Sequence, residues 1–283
     1  MVKTVGKYDI YRTLGEGSFG KVKYAVDKEG SLPVAIKILD KDKVQVANVA
    51  AIIKKEITTM KSLQHANIVA VLDVFATQSK IFIVFDFVEG QELFDIIANE
   101  GKMPEERARH FFSQIVAGIV YCHHSGVHHR HLKPENILVD SSGTVRICDF
   151  GLSALYVGDC TTSSSRIGVV SAAYGTPSYV APEVLEGSPY EGKGADIWSM
   201  GVILFVLMAG YLPFDDPNLP SLFDKIRAAQ YTFPAWFSPL TRNLTENMII
   251  ASPTMRYTVN DVNGHEWMKL PKSGVRALPA NNL

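Results

Sequence analysis

Residues 197–214 form a run of eighteen without a charged side chain, and this run limits the possible folds more than any other feature. A segment of this length is either a membrane span or a helix buried on all sides in a large core. Two glycines and a proline interrupt the run, and Asp196 and Asp215 flank it directly. We therefore predict a buried helix and no membrane span, which requires a chain large enough to surround it.

The composition is that of a chain able to build such a core. It has 283 residues, enough for one large domain or two lobes, and 47% of them are hydrophobic while 20% are charged. These values exclude a disordered chain, a collagen-like repeat and a small disulfide scaffold. The net charge of −1 also argues against binding through bulk positive charge, so we expect no nucleic-acid partner.

Charge is nevertheless divided unevenly along the chain. Residues 1–85 carry 13 Lys and Arg against 8 Asp and Glu, whereas residues 86–283 carry 15 against 21. A basic first part joined to an acidic remainder suits a cleft with phosphate on one side and a cationic partner on the other. Chance segregation of surface charges gives the same pattern.

The cysteines and the N-terminus indicate a cellular location. Three cysteines, in no metal-ligand spacing, are typical of a reduced intracellular protein. Lys3, Lys7 and Asp9 interrupt any apolar run at the start of the sequence, so no signal peptide is predicted. We therefore expect a cytoplasmic location.

The hydrophobic pattern changes along the chain from strand-like to helical. A helical period separates two groups of strands at 43–63, and it dominates after Gly90. The runs typical of strands are 8–14, 22–26, 34–39, 68–75 and 81–87. We predict a small β-rich lobe followed by a larger helical lobe, joined near residues 86–90.

The later part of the chain has three recognisable segments besides the uncharged run. Helices are expected at 92–100 and 104–125. Two short apolar runs, 137–139 and 145–148, flank a turn and predict a hairpin. Residues 153–178 are rich in Ser, Thr and Gly and are expected to form a long loop.

Residues 15–20 match the pattern G-x-G-x-x-G. Glycines let backbone N–H groups approach phosphate oxygens because no Cβ stands in the way. A dinucleotide-binding site would need a helix directly after the pattern, and the segment from Val22 has the pattern of a strand instead. The sequence therefore favours another kind of phosphate-binding loop, formed by Gly15, Glu16, Gly17, Ser18, Phe19 and Gly20.

Lys37 ends the apolar run 34–37, which predicts a lysine carried by a strand. A buried lysine is costly unless it is paired, and Glu56 on the amphipathic segment that follows is an available partner. The glycine pattern lies upstream of this strand, which favours a phosphate-binding lysine over an exposed lysine on an edge strand.

A polar cluster at 129–136 is followed by Asp149. Asn136 and Asp149 both offer oxygen atoms to a hard divalent cation. Mg²⁺ typically binds through one or two carboxylates together with substrate phosphates. The motif Ala-Pro-Glu at 181–183 then closes the long loop, and Asp196 precedes the uncharged run.

Taken in order, these motifs resemble the protein kinase family. The resemblance covers residues 8–268, and its motifs have the family's order and spacing. Lys133 is similar to the serine/threonine branch, and residues 11–22 and 175–183 are most similar to calcium/calmodulin-dependent and AMP-activated-like kinases. The resemblance implies an α+β, bilobal protein kinase fold with ATP and Mg²⁺ as ligands.

The resemblance also implies how the chain is divided. It places a catalytic loop at 129–136 and an activation segment at 149–183. The implied divisions are an N-lobe at 1–85, a hinge at 86–90, a C-lobe at 91–270 and a tail at 271–283.

Each matched residue acquires an implied role. Lys37, held by Glu56, binds the α- and β-phosphates of ATP. Asn136 and Asp149 hold Mg²⁺, and Lys133 neutralises the transferred phosphate. Phe85 is the gatekeeper that narrows the pocket behind adenine. The residues implied around the base and along the cleft are Val22, Ala35, Phe85, Asp86, Val88, Glu92, Glu135 and Leu138.

Three further contacts are implied by the resemblance. Glu183 pairs with Arg256, and Asp196 anchors the backbone of the catalytic loop. The apolar spine that joins the lobes contains Met60, Val71, His129 and Phe150.

His131 departs from the family pattern, in which His-Arg is followed by Asp. The missing Asp orients the substrate hydroxyl and accepts its proton. A neutral imidazole can also accept a proton, so loss of the carboxylate need not abolish transfer. Three interpretations follow: a weakened kinase, a pseudokinase that binds nucleotide as a scaffold, and a variant of an active kinase.

The activation segment contains a second departure. Related kinases place a phosphorylatable Thr where this chain has Ala172, and Ser171 is adjacent. A second cluster of hydroxyl side chains lies upstream at 161–165. We expect an upstream kinase to phosphorylate one of these residues, with Ser171 favoured and Arg130 pairing the phosphate, although an unmodified loop fits equally well. Glu92 lies where related kinases receive an upstream Arg of the substrate, so basic protein substrates are expected. The oligomeric state is not predicted.

Overall fold

The structure, a computed structural model, describes residues 3–17, 20–41, 60–149, 177–186 and 190–271. Its first part is a six-stranded antiparallel sheet with strand order β1-β2-β3-β4-β6-β5. The strands are β1 (Lys3–Val5), β2 (Tyr8–Gly17), β3 (Gly20–Asp27), β4 (Leu32–Asp40), β5 (Val71–Ala76) and β6 (Lys80–Asp86).

One face of this sheet packs in an apolar cluster, and the opposite face carries Lys37. Side chains alternate between the faces of a strand, and residues directly across from each other on neighbouring strands share a face. Ile36 is fully buried in a small apolar cluster with Ala25 and Val84. Lys37, the next residue, therefore points to the opposite face, which it shares with its cross-strand partner Val22.

A second sheet has three strands in the order β7-β8-β9. These are β7 (Gly90–Glu92), β8 (Ile137–Asp140) and β9 (Val145–Ile147), and the last two form the predicted hairpin. Gly143 closes its turn in a left-handed conformation, with φ of 83°. The hydrophobic pattern does not predict β7, because three residues carry no alternation and only pairing with β8 defines the strand.

The predicted strand at 68–75 is only partly correct, since β5 begins at Val71. The Val69 N–H donates to the Ile147 carbonyl at 2.9 Å, and the Ile147 N–H donates to the Asn67 carbonyl at 2.9 Å. Residues 67–69 therefore bond to β9 and join the two sheets.

The rest of the described chain is helical. Short 3₁₀ turns occur at Pro134–Asn136, Pro177–Tyr179 and Pro253–Met255. The helices are α1 (Leu93–Glu100), α2 (Glu105–His124), α3 (Pro182–Leu185), α4 (Gly192–Ala209), α5 (Leu219–Arg227), α6 (Pro239–Met248), α7 (Val259–Gly264) and α8 (Glu266–Lys269). A β-rich first part and a helical second part give the bilobal α+β architecture predicted from the sequence.

Helix α4 is the buried helix expected from the uncharged run. Among the described residues it alone is long and apolar enough to cross a membrane, and 89% of it is buried inside the protein. Its bounds differ from the run: it begins at Gly192 and ends at Ala209. Gly210 ends it at φ 78°, and a Cβ there would lie 2.5 Å from the Lys102 nitrogen.

Parts of the sequence prediction lie outside the described residues. These include most of the helix expected at 43–63 and nearly all of the loop expected at 153–178. Cys160 belongs to the same group, whereas Cys122 and Cys148 are both free thiols.

Glu105 joins three helices of the second part through one carboxylate oxygen. Its Oε1 accepts hydrogen bonds from Ser238 Oγ at 2.8 Å, Thr241 Oγ1 at 2.7 Å and Trp267 Nε1 at 2.6 Å. Burial opposes ionisation of Glu105, but these hydrogen bonds outweigh it and hold the pKa of the carboxyl below its ordinary value. The contacts tie α2 to α6 and α8.

We expect Glu105→Ala to lower the free energy of unfolding by about 3 kcal/mol, because three donors lose a charged acceptor. Urea denaturation measures this loss. Glu105→Gln keeps an acceptor oxygen and should cost less. The pKa of Glu105 is lowered by folding, so the contribution of the charge is present above about pH 4.3 and disappears as the pH falls further.

The parent and Glu105→Gln should therefore converge in stability in acid, and a difference that stays constant with pH would contradict this account. Glu266→Gln is the control, because Glu266 is an exposed carboxylate paired with Lys269 at 2.9 Å on α8. Its substitution should leave the stability unchanged.

Candidate active site

Lys37 and Asp149, far apart in the sequence, meet in the structure. Lys37 lies in the middle of β4, and Asp149 follows β9. The Lys37 Nζ lies 2.8 Å from Asp149 Oδ1. Burial raises the pKa of the Asp149 carboxyl, but the charge and hydrogen bond of Lys37 outweigh this effect and hold the pKa below its usual range. Asp149 is therefore a carboxylate at neutral pH.

Asn136 ends the 3₁₀ turn that precedes β8, and its side chain is buried. Its Nδ2 donates to the His131 carbonyl at 2.8 Å, which leaves the amide oxygen facing away from that carbonyl. The Cys148 N–H donates to the Asn136 carbonyl at 2.9 Å. This bond holds the two predicted cation-binding segments next to each other.

Asp196 positions the catalytic loop, as the resemblance implies. It is fully buried near the start of α4. Its two oxygens accept hydrogen bonds from the backbone N–H of His129 at 2.8 Å and of Arg130 at 2.6 Å. His123 Nε2 lies 2.9 Å from the same carboxylate. The loop is thus fastened to the core helix by its main chain.

His131 lies in the loop that Asp196 holds. Burial and then the positive charge of Lys133 lower the pKa of the His131 imidazole to about 4. The ring is therefore uncharged at neutral pH. His131 and Lys133 line one cavity together with Tyr179, Val180 and Ser199.

Glu92 lies near Lys133 and near two other carboxylates, Asp95 and Glu135. Glu135 Oε1 is 3.4 Å from the Lys133 Nζ. Burial, followed by the negative charges of Asp95 and Glu135, raises the pKa of the Glu92 carboxyl. Glu92 therefore lies close enough to the other two carboxylates to be repelled by them, at the edge of the cleft.

The glycine pattern lies in a strand pair, which excludes the dinucleotide-binding alternative. Gly15 pairs with Val22 and Gly17 with Gly20, and the chain continues as β3. A Cβ on Gly20 would lie 1.8 Å from the Ile38 carbonyl oxygen. Glycine is thus required at that position by the neighbouring strand β4.

The residues predicted around adenine lie on neighbouring strands of the two sheets. Val22 shares a face with Lys37, and so does Ala35, two residues earlier on β4. Ala35 pairs with Phe85, which is buried on β6. Leu138 lies on β8 in the second sheet, paired with Glu92. Phe85 belongs to the main hydrophobic core, and Ala35, Val88 and Leu138 pack against that core. Asp86 and Val88 follow Phe85 in the chain.

A family described as protein kinase domain matches residues 8–268. The chain belongs to the protein kinase domain family. CBL-interacting protein kinase 32 of Oryza sativa subsp. japonica is 49% identical over 267 residues, which are 94% of this chain and 60% of that protein. CBL-interacting serine/threonine-protein kinase 3 of Arabidopsis thaliana is 47% identical over 267 residues, 94% of this chain and 59% of that protein. The chain spans about 60% of the length of these curated relatives.

Several predicted positions of this kinase domain lie outside the described residues. The pairing of Lys37 with Glu56 and the phosphorylation of Ser171 both stay predictions for this reason. The other positions concerned are Ser18, Phe19, Phe150 and Ala172.

The Glu183–Arg256 pair lies where the kinase motif implies it. Arg256 Nη1 and Nη2 contact the two oxygens of Glu183 at 2.7 and 2.8 Å. The Arg256 guanidinium is fully buried and also donates to the carbonyls of Gly194, Ile250 and Ala251. This bidentate ion pair, together with the bond to Gly194, fixes α3 against the start of α4.

One contact of the cleft has no signal in the sequence. Arg146 Nη1 on β9 lies 2.6 Å from Asp86 Oδ2 in the predicted hinge. No motif or periodicity links the two residues, which are sixty positions apart. The pairing of β9 with residues 67–69 and with β8, which in turn pairs with β7 after the hinge, brings Arg146 to that point.

We expect Arg256→Met to lower the free energy of unfolding by about 3–5 kcal/mol, because it leaves the Glu183 carboxylate without its bidentate partner. Thermal denaturation followed by circular dichroism measures this change. The matched control is Arg227→Met, which breaks an exposed pair with Asp224 on α5. Equal stability losses in the two variants would contradict the expectation that the buried Glu183–Arg256 pair stabilises the fold more than an exposed pair does.

Proposed function

We propose that this chain is a serine/threonine protein kinase that transfers the γ-phosphoryl group of ATP to protein hydroxyls. The observation that carries the proposal is the 2.8 Å contact of Lys37 with Asp149, which unites a phosphate-binding lysine with a metal-binding carboxylate. Protein kinases in general use ATP with Mg²⁺. Family membership and the serine/threonine specificity named for the Arabidopsis relative support the same function.

The residues present fit the metal and the nucleotide. The carboxylate of Asp149 and the amide oxygen of Asn136 are the hard oxygen ligands that Mg²⁺ prefers, and they would hold it. The bound ion would neutralise charge on the phosphates. Gly20, where a side chain would collide with β4, keeps the backbone of the glycine loop close to the sheet. Lys37 would then contact the phosphate oxygens.

His131 would orient the substrate hydroxyl and accept its proton on the imidazole. Its pKa of about 4 means that the imidazole is neutral at physiological pH and can accept a proton. What the substitution removes is one negative charge. Phosphoryl transfer depends mainly on positioning and on stabilisation of charge, so we propose a slow kinase rather than an inactive one.

The alternative is a pseudokinase that binds nucleotide and serves as a scaffold. The absent carboxylate at position 131 favours it. A scaffold, however, has no chemical need for Lys133, the residue implied to neutralise the transferred phosphate, and this chain has it. The two functions differ in phosphoryl transfer and agree in nucleotide binding.

Restoring the carboxylate should raise the rate of transfer. We expect His131→Asp to increase kcat by about 10²-fold, the lower part of the range for a general base, because charge and hydrogen-bond geometry are both recovered. Transfer of radiolabelled phosphate from ATP to a Ser/Thr peptide measures kcat in both proteins.

Asp149→Asn is the control, because loss of transfer in that variant shows that the activity belongs to this chain. Measurable transfer by the parent supports the kinase. If His131→Asp restores transfer and the parent has none, the pseudokinase alternative is correct for the parent. If neither protein transfers phosphate while both bind MgATP, the proposed activity is wrong.

We further propose that the substrates are basic. The raised pKa of Glu92 shows an environment that disfavours a third negative charge beside Asp95 and Glu135. An arginine side chain of a substrate would relieve that repulsion and form charge-assisted hydrogen bonds. The acidic balance of residues 86–283 acts in the same direction.

Glu92→Gln should weaken binding of an Arg-containing Ser/Thr peptide by about tenfold, because one charge pair with the substrate arginine is lost. Fluorescence anisotropy of the labelled peptide measures this without requiring turnover. The matched control is Glu266→Gln, on α8. A peptide with Ala in place of Arg should bind the parent and Glu92→Gln equally, and equal weakening of both peptides would contradict the proposal.

A further inference from the structure

The Arg146–Asp86 ion pair connects two parts of the cleft that are distant in the sequence. Asp86 is the last residue of β6 and the first of the predicted hinge. Arg146 is the central residue of β9, three positions before Asp149. The two side chains are 33% and 41% exposed, and their charged atoms are 2.6 Å apart. The contact is thus partly shielded from water, which strengthens it relative to a fully exposed pair.

The backbone of Asp86 is already fixed on two sides. Its N–H donates to the Ala70 carbonyl at 3.0 Å, and it pairs with Val34 across β4 and β6. The carboxylate of Asp86 adds a third contact, to β9 in the second sheet. With this contact in place, the residue that begins the hinge is held against both sheets.

Strand β9 is the other end of this connection, and it is equally constrained. Ile147 exchanges hydrogen bonds with Asn67 and Val69, and Cys148 donates to Asn136. The Arg146 Nε is buried without a hydrogen-bond partner among the described residues, whereas Nη1 faces Asp86. The ion pair with Asp86 is therefore the contact that offsets the cost of the unpaired Arg146 Nε.

We propose that Arg146 is a positioning residue that holds the hinge through Asp86 and thereby increases affinity for the adenine base. The inference rests on the nucleotide binding that the proposed function requires, but not on phosphoryl transfer. Its physical reason is preorganisation: backbone groups that are already held at the correct place lose less freedom when the base binds. Without either charge, only the backbone contacts of Asp86 with Ala70 and Val34 would hold the start of the hinge.

Adenosine is the probe that isolates this effect, because it has no phosphate and needs no metal. Its affinity is measured by displacement of a fluorescent ADP analogue from the full chain. We expect Arg146→Met and Asp86→Asn each to weaken adenosine binding about three- to fivefold, the upper part of the range for one partly shielded ion pair. The double variant should bind no more weakly than either single variant, and Arg146→Lys should recover part of the affinity.

Arg227→Met is the matched control, since it removes an arginine from an exposed pair on α5 and should leave adenosine affinity unchanged. Single-variant affinities within twofold of the parent would overturn the proposal. Effects that multiply in the double variant would also overturn it, because they show that the two side chains act independently. Lower melting temperatures with unchanged adenosine affinity would assign the pair to stability alone and overturn it as well.

The experiment separates this inference from the proposed function. A parent that binds adenosine and MgATP without transferring phosphate contradicts the kinase activity and leaves the role of Arg146 standing. A parent that binds neither adenosine nor MgATP overturns both.

Discussion

The catalytic loop takes its position from one buried carboxylate on the core helix. A carboxylate removed from water costs several kcal/mol unless donors surround it. Asp196 meets this requirement with two backbone N–H groups of the loop, those of His129 and Arg130. The loop therefore cannot shift without leaving a buried charge unsatisfied. Since α4 is itself enclosed by the second part of the chain, the hydrophobic core determines where His131 and Lys133 lie.

Contacts with charged side chains also stabilise two strained backbone conformations in the site. Arg130 and Asp149 both have positive φ, 64° and 61°, which costs a non-glycine residue on the order of 1 kcal/mol. Arg130 is held by its N–H bond to Asp196, and Asp149 by its side-chain contact with Lys37. Strain persists in a fold only where neighbouring contacts determine the conformation more strongly. At both strained residues, a contact with a charged side chain, Asp196 or Lys37, holds the backbone conformation.

The sequence was most informative where chemistry depends on residue type and spacing. The buried α4 and the strand that follows the glycine pattern were predictable from the hydrophobic pattern. The Glu183–Arg256 contact was implied by the resemblance to protein kinases. Strand β7 and the Arg146–Asp86 pair were not predictable. Both arise from pairing between segments distant in the sequence, and neither leaves a periodic pattern. The ends of α4 also differ from the ends of the uncharged run at 197–214. The run indicates which residues are buried, whereas Gly210, in the left-handed conformation, ends the helix.

His131 places a neutral imidazole where the kinase pattern has a negatively charged carboxylate. With a neutral imidazole in place of a carboxylate, the cleft keeps Lys37 and Lys133 and loses one negative charge that would repel phosphate oxygens. In the kinase that we propose, this loss of repulsion would strengthen the binding of the ATP triphosphate before reaction. Binding energy gained equally in the ground state and the transition state does not raise kcat. For the function that we propose, this would favour nucleotide binding over turnover. A slow kinase and a nucleotide-binding scaffold would then differ in how well the imidazole orients the substrate hydroxyl.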